Sequence, residues 1–349
     1  MGKIQFVSNA LGTLRAWFLP CVLLGLGMAC GEPRPQYGEN TPTDYNVVLV
    51  TFDGVRWQEL FAGTDELLSG EQQALFPTFW SKIAPRGVVY GDPRTGSAMT
   101  VSTAANASLP GYTSIYAEVD QGCLTNSCGR ITVPTFVDRL KDELSLPQEQ
   151  LAVFAAWPKL KLAVTGRDDV AVVHAADFDL SAEKEHPMAP MLEESLEFDR
   201  GPLLDGFKYL KEQHPRFLHL SFLDSDRYGH QANYTRYAQV LATYDRLLGK
   251  LVDLLDASGE YGQKTALIIT TDHGRGQWDQ WSEHGPHVPA SARVWSFVML
   301  PPGANDFSLE EPTARSFEHH DVRYTVETLF GLSVKRSAHH GSGFLRPLP

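Results

Sequence analysis

Three apolar runs, each ending on acid, constrain this chain more than any other feature. NVVLVTF leads into Asp53, FLHLSF into Asp224 and Asp226, and TALIITT into the adjacent pair Asp272-His273. Each run is short, β-branched and apolar nearly throughout, the pattern of a strand covered on both faces. Two more strands are read in LAVFAAW and RVWSFVML. Helical segments lie between them: PTFWSKIAPRG, closed by Gly87; VPTFVDRLKDEL, with Pro134 near its first turn; and LLDGFKYLKEQH. In a longer helix Tyr237, Leu241, Tyr244, Leu248, Leu251 and Leu255 share one face, and Gly259 closes it. DVRYTVETLFGL is a last helix. Strands alternating with helices predict an α/β fold, with a doubly wound, mostly parallel central sheet and helices on both faces. Residues 159–200, mixed and rich in acid and proline, read as a small cap or insertion. Ligands of such sheets bind beyond the carboxyl ends of the strands. The acidic strand ends are therefore expected together on one edge.

The 349 residues suit one large domain, and the core can be large enough to stand without staples. The formal net charge of -12 argues against nucleic acid as a partner, because phosphate backbones call for Lys and Arg patches. Lys3 and Arg15 precede the apolar stretch AWFLPCVLLGLGMAC, which is short and Gly-rich for a membrane span and ends on small residues. It reads as a signal peptide over 1–29. A polar, Pro-rich tether over 30–45 follows, and the catalytic domain spans 46–349. Cys30 would then be a lipidated first residue, the favoured reading, or incidental to ordinary cleavage after Ala29. The chain is expected to be exported, as a periplasmic or outer-membrane lipoprotein or an extracellular protein. Cys123 and Cys128 flank LTNS and read as a local disulfide, since no second Cys or His pair at ligand spacing lies near enough to complete a zinc site.

The polar residues at the strand ends carry the chemistry. Asp226 is followed four residues later by His230 in DRYGH, and His284 stands in WSEHGPH beyond the Asp272-His273 strand. Taken singly, an Asp after a strand is ordinarily a turn or cap residue, and a lone His a surface or core one. Together Asp53, Asp226, His230, Asp272, His273 and His284 form a carboxylate and imidazole set suited to Zn2+ or a similar divalent ion. Six ligands exceed one tetrahedral ion and suit two, each with an open position. Two metals can hold the attacking and leaving oxygens of an in-line displacement. Ser108, in NASLPGY, stands where a helix opens and is a candidate nucleophile; local pattern alone equally allows a helix cap.

The ordered blocks VTFDGVRWQELF, NASLPGYTSIYAE, DSDRYGH, TTDHGRG and SEHG, spread over residues 47–285, resemble the alkaline phosphatase superfamily. The likeness is greatest to its nucleotide pyrophosphatase/phosphodiesterase branch and bacterial relatives. The resemblance implies two zinc ions, with other divalent metals as substitutes. Asp53, Ser108, Asp272 and His273 would hold one ion, and Asp226, His230 and His284 the other. It also implies a phosphoseryl intermediate on Ser108. The expected function is an exported phosphohydrolase of small-molecule phosphate esters. The alternatives are hydrolysis of another tetrahedral ester or a phosphonate on the same metals, or a non-catalytic metal-binding relative. Departures are informative. Gly111 stands where the diesterase branch commonly has a phosphoryl-binding Asn, leaving Asn106 and Asn126 as candidates for substrate binding. Tyr112 stands where formylglycine sulfatases need Arg. Arg275, with Arg227 and Arg130 behind it, is a candidate clamp for a phosphate oxygen. His287 is the substitute for His284.

Overall fold

The computed structural model describes residues 42–117, 122–175, 196–334 and 343–347. The leader read at 1–29, Cys30 and most of the tether lie outside them. The end of the tether is already held by the fold: Arg216 donates to the carbonyls of Thr43 at 2.8 Å and Tyr45 at 2.9 Å.

The strands in chain order are β1 (Asn46–Phe52), β2 (Val88–Tyr90), β3 (Ala98–Thr100), β4 (Leu151–Ala155), β5 (Val172–Ala175), β6 (Phe217–Phe222), β7 (Thr265–Thr271), β8 (Ser296–Met299), β9 (Phe307–Leu309), β10 (Ser316–Glu318) and β11 (Leu345–Pro347). The helices are α1 (Trp57–Phe61), α2 (Glu66–Ser69), α3 (Ser108–Tyr116), α4 (Phe136–Leu144), α5 (Lys161–Val164), α6 (Arg200–Gln213), α7 (Asp224–His230), α8 (Tyr234–Asp256), α9 (Glu260–Gln263) and α10 (His320–Leu329).

Seven strands form one sheet in the order β2-β8-β7-β1-β6-β4-β5. The five from β7 to β5 run parallel; β8 opposes β7, and β2 opposes β8. Alternate residues of β1 feed two separate apolar layers. Val48, Val50 and Phe52 pack with Leu203 and Phe207 of α6 and with Tyr237, Leu241 and Tyr244 of α8. Val47 and Leu49 face Leu109 and Ile115 of α3 and Val322 and Val326 of α10. The sheet is thus covered on both faces, as the unbroken apolar runs predict. Each fully buried Val, Leu or Phe contributes about 1.5–3 kcal/mol. The two layers therefore hold the fold without help from the polar edge.

The central register sets that edge. Phe52 lies opposite both Phe222 and Thr271, so β1, β6 and β7 end level, and the acids just beyond them leave the sheet side by side.

Elsewhere the elements differ in detail from the sequence reading. The stretch expected as a helix before Gly87 is a widened π-type turn at Phe79–Ile83 followed by a 3-10 turn at Ala84–Arg86. Pro85 removes a donor there, and Asp245 holds the start through the N–H groups of Thr78 at 2.9 Å and Phe79 at 2.7 Å. Pro134 precedes α4 rather than entering it. Thr135 is the cap, locked to Asp138 in a reciprocal capping box. The segment from 159 belongs to the main body up to residue 175. It contains α5, and β5 pairs with β4 as the edge of the sheet. The rest of the expected cap, 176–195, lies outside the described residues, and α6 begins at Arg200.

Candidate active site

Three segments leaving the level strand ends supply most of the site. After β1, Gly54 turns at φ 64°, in the left-handed region open to glycine, beside Asp53. After β6 the chain enters α7 at once, and helical spacing of four residues sets Asp226 and His230 on one face. After β7 come Asp272 and His273, and a loop returns to His284. From the side, α3 brings Ser108 as its first helical residue. Its cap is Ala107, with no side-chain capping bond, so Ser108 is not the helix cap. Gly111 lets this helix lie on the β7 end, because a Cβ there would come within 2.2 Å of Asp272 O. The Asn expected at that position cannot be housed.

The first cluster centres on His273 Nε2. Around it stand Ser108 Oγ at 3.4 Å, Asp53 Oδ1 at 3.5 Å and Asp272 Oδ2 at 3.6 Å. His273 Nδ1 donates to Gly274 O at 2.8 Å, which turns Nε2 toward the cluster. Each carboxylate is held by one oxygen and presents the other. Asp53 Oδ2 accepts from Tyr112 Oη at 3.3 Å; Asp272 Oδ1 accepts from Gly54 N at 3.0 Å and His273 N at 2.9 Å. Asp53 Oδ1 and Asp272 Oδ2 have no hydrogen-bond partner among the described residues, although both side chains are buried. Burial first, and then the neighbouring carboxylates, push both well above the usual carboxylate range. Two buried carboxylate oxygens without a donor, facing an imidazole nitrogen, fit a cation.

The second cluster is Asp226, His230 and His284. His230 Nε2 lies 3.2 Å from Asp226 Oδ2 and 3.1 Å from His284 Nε2. His284 Nδ1 donates to the carbonyl of Asn106 at 3.0 Å, which aims its Nε2 inward. Burial, with His273 nearby, pushes the His284 imidazole well below its ordinary value, so it stays neutral as a ligand must. Two groups of potential ligand atoms thus lie within 4.8 Å of one another: Asp226, His230 and His284; and Asp53, Asp226 and His273. Asp226 belongs to both, where the resemblance gave it to one. Its Oδ1 lies 4.0 Å from His273 Nε2, so the clusters are contiguous. His287 is exposed and outside both groups.

The candidate substrate contacts fare differently. Arg275 is buried, not free to clamp a phosphate. Its guanidinium is engaged with Asp226 and with Ser282 O. Arg227 lies over the Phe198 ring at 4.2 Å, and Arg130 pairs with Asp168 at 2.6 Å. Asn106 sits at φ 43° and serves His284 through its carbonyl. Asn126 Oδ1 accepts the backbone N–H of Leu109 at 2.8 Å, beside Ser108. Its loop is closed by the Cys123–Cys128 disulfide, and Lys159 Nζ holds the Asn126 carbonyl at 2.7 Å. Tyr112 was read only as a departure; it is the residue that orients Asp53. Its position four residues after Ser108 was the available signal, since one helical turn brings it back to the same face.

Level strand ends, a buried Asp/His edge and a serine at a helix start define the class: an α/β hydrolase of the alkaline phosphatase superfamily. Within it, the chain belongs to the type I phosphodiesterase / nucleotide pyrophosphatase family, whose model matches residues 64–289. Comparison with curated proteins gives no match. Among solved structures the fold is similar to the lipoteichoic acid synthase LtaP of Listeria monocytogenes, at TM-score 0.58 and 16% identity over 86% of this chain and 75% of that one. It is also similar to the C-terminal periplasmic domain of EcEptC from Escherichia coli in complex with Zn, at TM-score 0.54 and 12% identity over 85% and 84%. The phosphonate monoester hydrolase of Agrobacterium radiobacter gives TM-score 0.52 and 13% identity over 82% and 74%.

Proposed function

We propose that this protein is an exported two-zinc phosphohydrolase that cleaves small-molecule phosphate esters, diesters foremost, through a phosphoseryl intermediate on Ser108. One observation carries the reading: Ser108 Oγ and two donor-less carboxylate oxygens, Asp53 Oδ1 and Asp272 Oδ2, converge on His273 Nε2. Asp53, Asp272, His273 and Ser108 would hold one ion, and Asp226, His230 and His284 the other. When bound, the ions supply Lewis acidity that lowers the serine and water pKa and neutralises charge on the phosphoryl oxygens.

The chain's own residues do the rest. The Gly111 contact keeps α3 pressed on the β7 end, so Ser108 Oγ is aimed before substrate arrives. Tyr112, Gly54 N and His273 N fix one oxygen of each first-cluster carboxylate, so that the other oxygen cannot turn away. Ser108 Oγ forms its bond to phosphorus as the ester oxygen departs with a proton, and water then cleaves the Ser108–phosphorus bond. His230, half exposed, marks the solvent side where that water enters. The diesterase family and the zinc named with one fold relative support this substrate class and metal. The apolar leader ending at Cys30 supports export and lipid anchoring.

The test is chelation followed by zinc, assayed on chromogenic phosphodiester, phosphomonoester, phosphonate and sulfate substrates. Diester turnover should vanish and return with zinc. Full diester turnover by metal-free protein would end the reading, and phosphonate or sulfate turnover exceeding both phosphate esters would replace the substrate class.

A further inference from the structure

Arg275 is a costly residue to place where it lies. Its side chain is completely buried, and a buried guanidinium without compensation is strongly destabilising. The compensation is specific. One terminal nitrogen donates to Asp226 Oδ1 and also, at 3.0 Å, to the Asp226 carbonyl; the other donates to the carbonyl of Ser282. Asp226 and His230 belong to α7, and Ser282 stands two residues before His284. One planar group therefore ties together the two segments that supply the second cluster.

Two glycines make room for it. A Cβ at Gly229, inside α7, would come within 2.4 Å of Arg275 Cζ. One at Gly54 would come within 3.0 Å of Arg275 Nε and 2.8 Å of Asp226 Oδ1. Helix propensity alone would favour alanine over glycine at position 229. The packing of the guanidinium supplies a reason for the glycine.

We infer that Arg275 is a positioning residue that builds the second metal position. It holds Asp226 Oδ1, which lies 3.9 Å from His284 Nε2, and so turns Oδ2 toward His230 Nε2 at 3.2 Å; it also fixes the His284 loop against α7 through Ser282. The inference rests on the two-metal reading. The fork matters as well as the charge: a lysine ammonium cannot span acceptors on both segments in one plane. The first cluster's own carboxylates are held by Tyr112 and backbone N–H groups, and it meets Arg275 through Asp226 Oδ1, 4.0 Å from His273 Nε2.

The experiment is calorimetric titration of metal-free protein with zinc alone, in the wild type, Arg275→Met, Arg275→Lys and Gly229→Ala, with circular dichroism to verify folding. Wild type should take up two equivalents. Arg275→Met and Arg275→Lys should weaken the second at least about tenfold and the first, which meets Arg275 only through Asp226 Oδ1, by much less. Gly229→Ala, which leaves the charge in place and favours the helix, should weaken the same equivalent by displacing the guanidinium. Should Arg275→Met fail to fold, the other two variants carry the test. Two equivalents at wild-type affinity in the folded variants would overturn the inference, as would equal weakening of both, which a merely structural arginine would give. Fewer than two equivalents in the wild type would instead overturn the two-metal reading beneath it.

Discussion

Ser108 is the residue on which the proposed chemistry turns. It is 3% exposed, makes no capping bond, and has His273 Nε2 as its near neighbour. Ser108→Ala should therefore leave the melting temperature of metal-free protein nearly unchanged while turnover falls by about a thousandfold or more, since the covalent route closes. Wild type quenched in acid during turnover should carry phosphate on the Ser108 peptide. Near-normal turnover in the variant would remove Ser108 from the mechanism. The upstream hydroxyls are otherwise engaged: Ser102 Oγ accepts from His320 N at 3.1 Å, and Thr103 Oγ1 from Ala105 N at 3.3 Å. The residues that gather at the site were legible because an apolar run fixes where a strand stops, and the side chains just past that stop lie on the sheet edge. Arg275 and Tyr112 were legible only as residue types. A decisive partner of each stands dozens of residues away in the chain, Asp226 in one case and Asp53 in the other.

At the scale of elements, α3 is the part with least freedom. Gly111 bears on the Asp272 backbone from one side, and Asn126 in its disulfide-closed loop holds Leu109 N from the other. Gly111→Ala should push the helix off β7. Stability should fall by about 1–3 kcal/mol, as for an overpacked core, and kcat should fall further than KM rises, because the nucleophile moves with the helix. Thermal melts and steady-state kinetics on one preparation measure both; wild-type kcat with a lowered melting temperature would disconnect the contact from catalysis. The long, strongly periodic elements were the readable ones, β1, β6, β7 and α8 among them. Some short ones, β5 and α7 among them, were not. β5 has four residues and an exposed His174 on a sheet edge, so it lacks the apolar continuity of the central strands. α7 was hidden because its seven residues, DSDRYGH, carry little helical patterning.

At the scale of the whole molecule, acid should act partly through a histidine that is not itself among the expected metal ligands. His219 lies within β6, fully buried, with Thr51 Oγ1 at 2.8 Å from one ring nitrogen and Tyr116 Oη at 2.6 Å from the other. Burial pushes its pKa down to about 3 from an unfolded value near 6.5. The unfolded chain thus takes up this proton first as pH falls. The resulting stability is fully present above about pH 6.5 and is lost progressively down toward pH 3, at up to about 1.4 kcal/mol per pH unit. His219→Gln should flatten urea-derived stability against pH over that window relative to wild type. Parallel curves would mean that the imidazole is already charged in the fold. The sheet order has a further consequence. β1 pairs on one side with β6 and on the other with β7, and these lie about 170 and 220 residues downstream in the chain. Until the last of them docks, Asp53, Asp226 and His273 are strangers to one another. On the proposed two-metal reading, a nascent or half-folded chain would lack the place for the first ion, and uptake of that ion would signal that the centre of the sheet has closed.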